Sequence, residues 1–259
     1  MNDLNYAIEC LKLKNEKYTT HEWLKINANL LPSVSSTKIA LKCFDLEHTH
    51  LFKSEMLIEW LEICKMFNID FSDLFHDNQT KSKKWLTDKL KKYILKTHKN
   101  NIFIFGGWYG ILAYMLQHDT DITTKYIYNI DKNQALYEPA RRFNNKSMYY
   151  QHIIADMIDY EYPFRPNIVI NTSCEHLSRD EFLAWYKKIP DAVTVVLQTN
   201  NYDKIQEHVG CFENLNTFSH FIRESLKVGG DNIYYTGKLE MSNFERYMVI
   251  FKKPSDVVL

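Results

Sequence analysis

Two shortages in the sequence each exclude a class of protein. The 259 residues include five cysteines and no C-x-x-C pair, which argues against a disulfide framework or a zinc knuckle and indicates a reducing compartment. No apolar run approaches the ~18 residues of a membrane helix. The N-terminal stretch MNDLNYAIECLKLK also lacks the apolar core of a signal peptide. We therefore expect a cytoplasmic protein with no membrane partner.

Net charge is also missing, because 32 basic and 32 acidic residues cancel. No overall field therefore recruits nucleic acid or an anionic membrane, although a local basic patch could still do so. Apolar material, in contrast, is plentiful. The chain is 45% hydrophobic and 14% aromatic, which is enough for a buried core in one large domain or two modest ones.

The first hundred residues contain no glycine and show helical spacing of their apolar residues. Residues 1–98 are therefore predicted to form an all-α N-terminal domain. Thr19 and Glu22 form a capping-box signature for a helix that ends before Pro32. A later helix, near residues 50–67, carries an apolar stripe of Leu57, Trp60, Leu61 and Cys64. We expect this domain to act as a lid that helps to select the substrate.

The last predicted helix of this domain, residues 81–99, is strongly basic. Its lysines are Lys81, Lys83, Lys84, Lys89, Lys91, Lys92, Lys96 and Lys99. Trp85 and Tyr93 lie among them, and lysines near aromatic rings suit contacts with phosphates and bases, so a nucleic-acid partner is one interpretation. The other is a solvated helix face, which the neutral charge of the whole chain favours.

Only 7 residues are glycine, and three of them fall within five positions, at Gly106, Gly107 and Gly110. A short apolar strand, Ile102 to Phe105, precedes them, and an apolar helical run follows. Lys125 to Ile130 then indicates a second strand, which ends at Asp131. A glycine turn that opens a helix presents backbone N–H groups to a ligand, while an acid on the next strand can accept hydrogen bonds from a ribose.

The glycine spacing decides which ligand this turn suits. G-G-W-Y-G is a poor match to the dinucleotide fingerprint G-x-G-x-x-G. It resembles instead the first motif of class I S-adenosylmethionine (SAM) dependent methyltransferases, acid-x-G-x-G-x-G. Gly106 and Gly110 match the outer glycines, Trp108 stands at the middle one, and Ile104 stands at the acid. The resemblance implies SAM as cofactor, with Asp131 holding the ribose hydroxyls.

Two later segments complete the site that this resemblance implies. Asp156, after a third strand, stands where the family binds the adenine amino group, with Met157 beside it; its alternative role is to cap a helix or turn. A fourth strand, Asn167 to Asn171, delivers further polar residues to the same edge of the sheet. The implied cofactor set is Gly106, Gly107, Trp108, Tyr109, Gly110, Asp131, Lys132, Asp156, Met157, Asn171 and Ser173.

Catalytic candidates follow this fourth strand directly. Glu175 and His176 resemble the Glu-His segment that walls the substrate pocket in many small-molecule methyltransferases, and either side chain could accept a proton. The alternative for His176 is a helix-start residue bonded to backbone. Cys174 is interpreted as a small buried thiol. No metal site is expected. The histidines at 48 and 50 are interpreted as part of a surface loop, and no further ligand follows them at a recognised spacing.

The rest of the chain alternates strands and helices and closes with two β-rich runs after Gly229 and Gly230. Asn200, Asn201 and Tyr202, after the fifth strand, are candidates to hold a substrate. We therefore predict an α/β fold for residues 99–259: a seven-stranded, mostly parallel sheet with helices on both faces and a C-terminal β-hairpin.

The predicted function is SAM-dependent methyl transfer to a small-molecule or metabolite-like acceptor. Two alternatives remain open at this stage. One is a nucleic-acid methyltransferase that uses the basic helix of residues 81–99, and the other is a non-catalytic SAM-binding partner subunit, because the first motif lacks its acid.

Overall fold

The computed structural model describes residues 3–13, 34–49, 52–94, 99–145 and 147–255. They divide into two compact units, residues 1–80 and residues 81–259. The predicted capping box at Thr19 and Glu22, the helix end before Pro32 and the histidine at position 50 lie outside the described residues. Within the described parts of both units, no helix is long and apolar enough to cross a membrane.

The first unit is helical in its described residues. Its helices are α1 (Asp3–Leu13), α2 (Val34–His48), α3 (Ser54–Phe67) and the one-turn α4 (Phe71–Leu74). The predicted stripe on α3 is confirmed, because Leu57, Trp60, Leu61 and Cys64 are all buried. Trp60 stacks on Phe75 with ring centroids 5.3 Å apart. Asn68 ends α3 in the left-handed conformation, which asparagine tolerates better than most residues. His48 is the last residue of α2 and not part of a loop.

The second unit alternates strands and helices. Its strands are β1 (Asn100–Phe105), β2 (Thr124–Asp131), β3 (Tyr150–Ile154), β4 (Ile168–Asn171), β5 (Thr194–Asn200), β6 (Ile233–Glu240) and β7 (Glu245–Lys252). Its helices are α5 (Asp77–Leu90), whose first four residues fall in the first unit, α6 (Ile111–His118), α7 (Tyr137–Phe143), α8 (Arg179–Lys188) and α9 (Leu215–Glu224). Short 3₁₀ turns lie at Gln134–Leu136, Cys174–His176 and Gly230–Asn232.

The seven strands form one sheet in the order β3-β2-β1-β4-β5-β7-β6. The five strands from β1 to β5 pair in parallel, whereas β7 is antiparallel to both β5 and β6. This confirms the predicted fold class and the C-terminal hairpin. Parallel strands place all their carboxyl ends at one edge, so the segments after β1, β2, β3, β4 and β5 share that edge.

Both faces of the sheet are covered by apolar residues from helices. On one face, Phe103 and Phe105 of β1 pack in a cluster that contains Phe182 and Trp185 of α8. On the other face, a cluster includes Ile102, Ile104, Leu112, Leu86 and Leu90. The alternation along β1 between the two clusters is the pattern expected of a strand buried on both sides.

Leu86 and Leu90 show that α5 packs with the sheet. Both side chains are fully buried in the cluster that contains β1 and α6. The predicted helical domain of residues 1–98 includes both leucines, and helical periodicity alone does not reveal which partner covers an apolar face. The structure divides the chain between Thr80 and Lys81, inside α5.

Several described lysines of the basic run at residues 81–99 make contacts within the second unit. Lys84 Nζ lies 2.6 Å from Asp88, and Lys91 Nζ lies 3.3 Å from Asp119. The aromatic residues pack on the C-terminal hairpin: Tyr93 stacks on Tyr234, and Trp85 lies edge-on to Tyr235. These contacts remove much of the support for a nucleic-acid surface, because the rings that would stack on bases pack against the protein.

Lys83 departs furthest from the solvated-face interpretation, since only 8% of the residue is exposed. Ser82 beside it donates a hydrogen bond from Oγ to Gln198 Oε1 at 3.0 Å, which fixes α5 against β5. Burial, and less strongly the positive charge of Arg246, lower the pKa of Lys83 to about 7, while the charge of Glu175 opposes the shift. Removing an ammonium group from water is costly, so this lysine takes the neutral form more readily than a surface lysine does.

The packing of α5 predicts which elements lose stability when one of its buried side chains is shortened. Leu86→Ala should lower the free energy of unfolding by about 2–5 kcal/mol, because the cavity left in a packed core collapses only partly. Hydrogen exchange read by mass spectrometry should show the faster exchange in β1 and α6. Faster exchange in α3 instead, with β1 unchanged, would show that α5 belongs to the helical unit. Lys92→Ala, at an exposed position of the same basic run, is the matched control and should change neither.

Lys83 predicts a pH dependence of stability. Its pKa is lower in the folded chain than the ordinary 10.5, so between about pH 7 and 10.5 the unfolded state binds more protons and stability rises with pH. Below pH 7 both states are protonated, and the burial cost applies in full. Lys83→Met should therefore stabilise the protein at pH 6, by an amount that shrinks towards pH 10. Urea unfolding at pH 6, 8 and 10 measures this, with Lys92→Met as control; a pH-independent difference would contradict the shift.

Candidate functional site

The turn between β1 and α6 contains three residues with left-handed backbone. Gly106 has φ 62°, Trp108 φ 50° and Gly110 φ 78°. Glycine adopts this conformation freely, whereas for other residues it costs roughly 1–2 kcal/mol. Trp108, which stands at the middle-glycine position of the motif, is therefore strained. Strain of this kind persists only where surrounding contacts hold it, and it concentrates at functional sites.

Side chains of the protein itself pack closely on the glycines of this turn. A Cβ at Gly106 would lie 2.5 Å from Ser173 Oγ, and a Cβ at Gly107 would overlap the side-chain amide of Asn129. A Cβ at Gly110 would lie 2.6 Å from Tyr150 Oη. The scarce glycines are thus explained by the fit of the turn on β2, β3 and the segment after β4, before any ligand is considered.

Asp131, the last residue of β2, holds the turn. Its Oδ2 accepts a hydrogen bond from the backbone N–H of Trp108 at 3.0 Å. Its Oδ1 accepts one from the N–H of Asn133, also at 3.0 Å. A carboxylate has about four acceptor positions, so each oxygen keeps capacity for a further donor. Asp131 is half-buried, which leaves that capacity accessible, while Lys132 beside it is exposed.

A buried polar group beneath the turn was not identified from the sequence. Asn129 is fully buried, and its Nδ2 donates to the carbonyl of Trp108 at 3.1 Å and to Nδ1 of His152 at 3.0 Å. Burial lowers the pKa of His152, against the opposing charge of Asp131, so the ring is held neutral. Asn129 lies within the predicted strand Lys125 to Ile130, and its role depends on contacts outside that strand.

Asp156 and Met157 lie after β3, at the edge shared with the turn. Asp156 Oδ1 accepts the N–H of Ile158 at 2.9 Å, so the structure shows the turn-capping role that the sequence analysis gave as its alternative. Asn171 Nδ2 lies 3.3 Å from Met157 Sδ. This contact joins the segment after β3 to the end of β4.

The end of β4 contacts the glycine turn directly. The N–H of Ser173 donates to Asn171 Oδ1 at 2.9 Å, and Ser173 Oγ lies 3.4 Å from the carbonyl oxygen of Gly106. Cys174 is fully buried, and burial raises the pKa of its thiol well above its usual range. The interpretation of Cys174 as a small buried thiol is confirmed.

Glu175 lies in a buried ionic cluster beside this edge. Its Oε1 accepts hydrogen bonds from Asn200 Nδ2 at 2.8 Å and from Arg246 Nη2 at 3.2 Å. Arg246 also donates through Nη1 to the carbonyl of Thr172 at 3.1 Å. The other carboxylate oxygen, Oε2, is buried and accepts no hydrogen bond within the described part of the chain. Arg246 and the buried Lys83 were not predicted as site residues.

His176 and His208 flank this cluster. His176 ends the 3₁₀ turn Cys174–His176 and is exposed. Its ring centroid lies 4.7 Å from that of His208, nearly perpendicular to it. One ligand atom each from Glu175, His176 and His208 lie within 4.8 Å of one another. The prediction of no metal site rests on the histidines at 48 and 50 and does not include His208, which comes from a later loop.

The residues expected to bind substrate after β5 are occupied by contacts within the chain. Asn200 holds Glu175, and its Oδ1 accepts the N–H of Tyr202 at 2.8 Å. Asn201 Oδ1 accepts the N–H of Glu245 at 2.8 Å. The carbonyl of Tyr202 contacts Nδ1 of His208. These residues position the cluster around Glu175.

The fold and this edge can be compared with known proteins. No protein-family model matches the sequence, and no curated protein matches it significantly. Solved structures do match. N-methyltransferase NodS from Bradyrhizobium japonicum WM9, in complex with S-adenosyl-L-homocysteine (SAH), has a TM-score of 0.53 at 10% identity, with 76% of this chain and 99% of NodS covered.

Two further solved structures match with similar TM-scores and similarly low sequence identity. The YcgJ protein from Bacillus subtilis has a TM-score of 0.52 at 9% identity, covering 66% of this chain and 99% of YcgJ. DhpI, solved as an SAH complex, has a TM-score of 0.50 at 10% identity, covering 76% of this chain and 96% of DhpI. Together with the observed strand order, these likenesses show that the chain has the fold of the class I SAM-dependent methyltransferases.

Proposed function

We propose that this protein binds SAM at the carboxyl edge of β1 to β4 and transfers its methyl group to a small-molecule acceptor. The proposal rests on the position and the hydrogen bonds of Asp131. It is fixed by the strained glycine turn and keeps acceptor capacity at the end of β2, where a ribose hydroxyl can donate to it.

The other residues of the edge fit the cofactor in part. Asp156 and Met157 offer a carboxylate and a thioether that suit an adenine amino group and ring, and Asn171 and Ser173 lie beside the turn. Two features depart from the family pattern. Ile104 is fully buried where the motif has an acid, and Gly110 packs on Tyr150, so its glycine is explained without a cofactor contact.

Bound SAM would supply a methyl group on a sulfonium, which is already a strong electrophile. The protein then needs to align the acceptor and to remove its proton where it has one. We assign Glu175 and His176 to the acceptor end. Glu175 is fixed by Arg246 and Asn200, and its buried Oε2 accepts no hydrogen bond from the residues that the structure describes. His176 is exposed beside it.

A small acceptor is favoured over a nucleic acid by the way the basic residues are used. Lys83 is buried, Lys84 and Lys91 pair with carboxylates, and Tyr93 stacks on the hairpin. The lid role of the helical unit stays a prediction.

The cofactor proposal predicts that Asp131→Ala weakens SAH binding about tenfold or more. A hydrogen bond to a charged acceptor contributes about 1.5–3 kcal/mol, and 1.4 kcal/mol corresponds to a factor of ten. Isothermal titration calorimetry with SAH measures this. Asp159→Ala is the matched control, since Asp159 is an exposed acid after β3. A folded Asp131→Ala chain that binds SAH as tightly as the parent would remove Asp131 from the site.

The activity proposal predicts that the label of methyl-labelled SAM appears in a small-molecule fraction. The protein is incubated with a cell extract separated into metabolite and RNA pools, and both pools are counted. Label in the RNA pool would favour the nucleic-acid alternative. No transfer to either pool by a chain that binds SAH would favour a non-catalytic binding subunit.

A further inference from the structure

We propose that Glu175, His176 and His208 bind a divalent transition-metal cation. Two imidazoles and one carboxylate are a ligand set that transition metals use when coordination positions are left open for another ligand. The three residues come from two separate segments of the chain, the 3₁₀ turn after β4 and the loop after β5.

Glu175 supplies the strongest observation. The residue is 3% exposed, and its Oε1 is fixed by Asn200 and Arg246, so the direction of the carboxylate is set. Its Oε2 is buried and accepts no hydrogen bond from any described residue. A buried charged oxygen without a partner is costly, and buried charges are normally paired or coordinate metals. A cation bound between Glu175 and His208 would give this oxygen a partner.

His208 is oriented as a metal-binding histidine. Its Nδ1 lies 2.6 Å from the carbonyl oxygen of Tyr202. A carbonyl only accepts, so Nδ1 carries the proton and Nε2 carries the free lone pair. Metal-binding histidines almost always donate their other ring N–H to a carbonyl or a carboxylate, which fixes the tautomer and the ring orientation.

The loop that carries His208 is fastened to the segment that carries Glu175. The N–H of Gly210 donates to the carbonyl of Glu175 at 2.8 Å. Arg179 donates to the carbonyls of Gly210 and Cys211 at 3.2 and 3.0 Å. A Cβ at position 210 would overlap the carbonyl of Leu177, so only glycine allows this approach. His208 is thereby kept near Glu175 although the two residues are distant in sequence.

His176 provides the movement that binding requires. The ligand atoms lie within 4.8 Å of one another, whereas atoms bound to one cation at about 2.1 Å lie roughly 3–3.4 Å apart. His176 is exposed, so its ring can rotate inward without breaking core packing.

The surrounding charges favour a nitrogen-binding metal of moderate affinity. Glu175 is the one carboxylate of the set, and Arg246 already neutralises part of its charge. Mg²⁺ and Ca²⁺ need several oxygen ligands, whereas Zn²⁺, Co²⁺ and Ni²⁺ accept imidazole. Lys83, with its pKa lowered to about 7, adds less positive charge than a surface lysine would.

One consequence rests on the proposed function. The open coordination position could take an acceptor oxygen and lower its pKa. The acceptor would lose its proton to water, and the oxygen would attack the methyl carbon. The electron pair of the broken carbon–sulfur bond would stay on sulfur, which leaves the thioether SAH.

The test is a Co²⁺ titration of the tag-free, full-length protein after chelation, read by visible absorption. We expect binding that saturates at one Co²⁺ per chain and that Zn²⁺ displaces. His208→Ala and Glu175→Gln should each weaken it at least tenfold. His220→Ala, at an exposed histidine of α9, is the matched control and should bind as the parent does.

Three results would overturn the proposal: no saturable Co²⁺ binding by the parent, equal binding by His176→Ala/His208→Ala, or equal loss in His220→Ala. Circular dichroism checks that Glu175→Gln is folded, and His208→Ala removes a less buried ligand if it is not. SAH calorimetry on the same samples separates the two claims, since Co²⁺ binding without SAH binding would contradict only the proposed function.

Discussion

The hydrogen bond from the backbone of Trp108 to Asp131 is the contact on which the candidate cofactor site depends. It joins a strained turn to the end of the neighbouring strand. Asn129, beneath the turn, donates a hydrogen bond to the carbonyl of Trp108 as well. With both backbone polar groups of Trp108 hydrogen-bonded, this non-glycine residue can hold the left-handed conformation. The turn therefore holds a tryptophan in the left-handed conformation, and the same hydrogen bond fixes the orientation of Asp131.

A second constraint organises the acceptor end. The buried pair of Glu175 and Arg246 connects the segment after β4 to the antiparallel strand β7, and Asn200 adds β5. Burying such a pair is costly unless every oxygen is satisfied. One oxygen of Glu175 is not satisfied within the described residues. The chain thus holds a fixed carboxylate near His208 at the carboxyl edge of the sheet.

The sequence predicts those features of the structure that depend on a local pattern of residues. The apolar strand, glycine turn and terminal acid of β1, α6 and β2 are contiguous, so their order alone indicates the fold and Asp131. The contact of Arg246 with Glu175 and the approach of His208 to the same residue join distant segments, so no motif spacing in the sequence predicts them. Lys83 shows the same limit. Its neighbours in sequence form a basic helix face, but its burial depends on which side of α5 packs against the sheet.

A crystal structure of the protein with SAH would show directly whether this edge of the sheet binds the cofactor. We expect density for SAH along the edge, with the ribose hydroxyls on Asp131 and the adenine beside Asp156. Well-ordered crystals grown with saturating SAH that show no nucleoside at the turn of Gly106, or that show it bound elsewhere, would contradict the account.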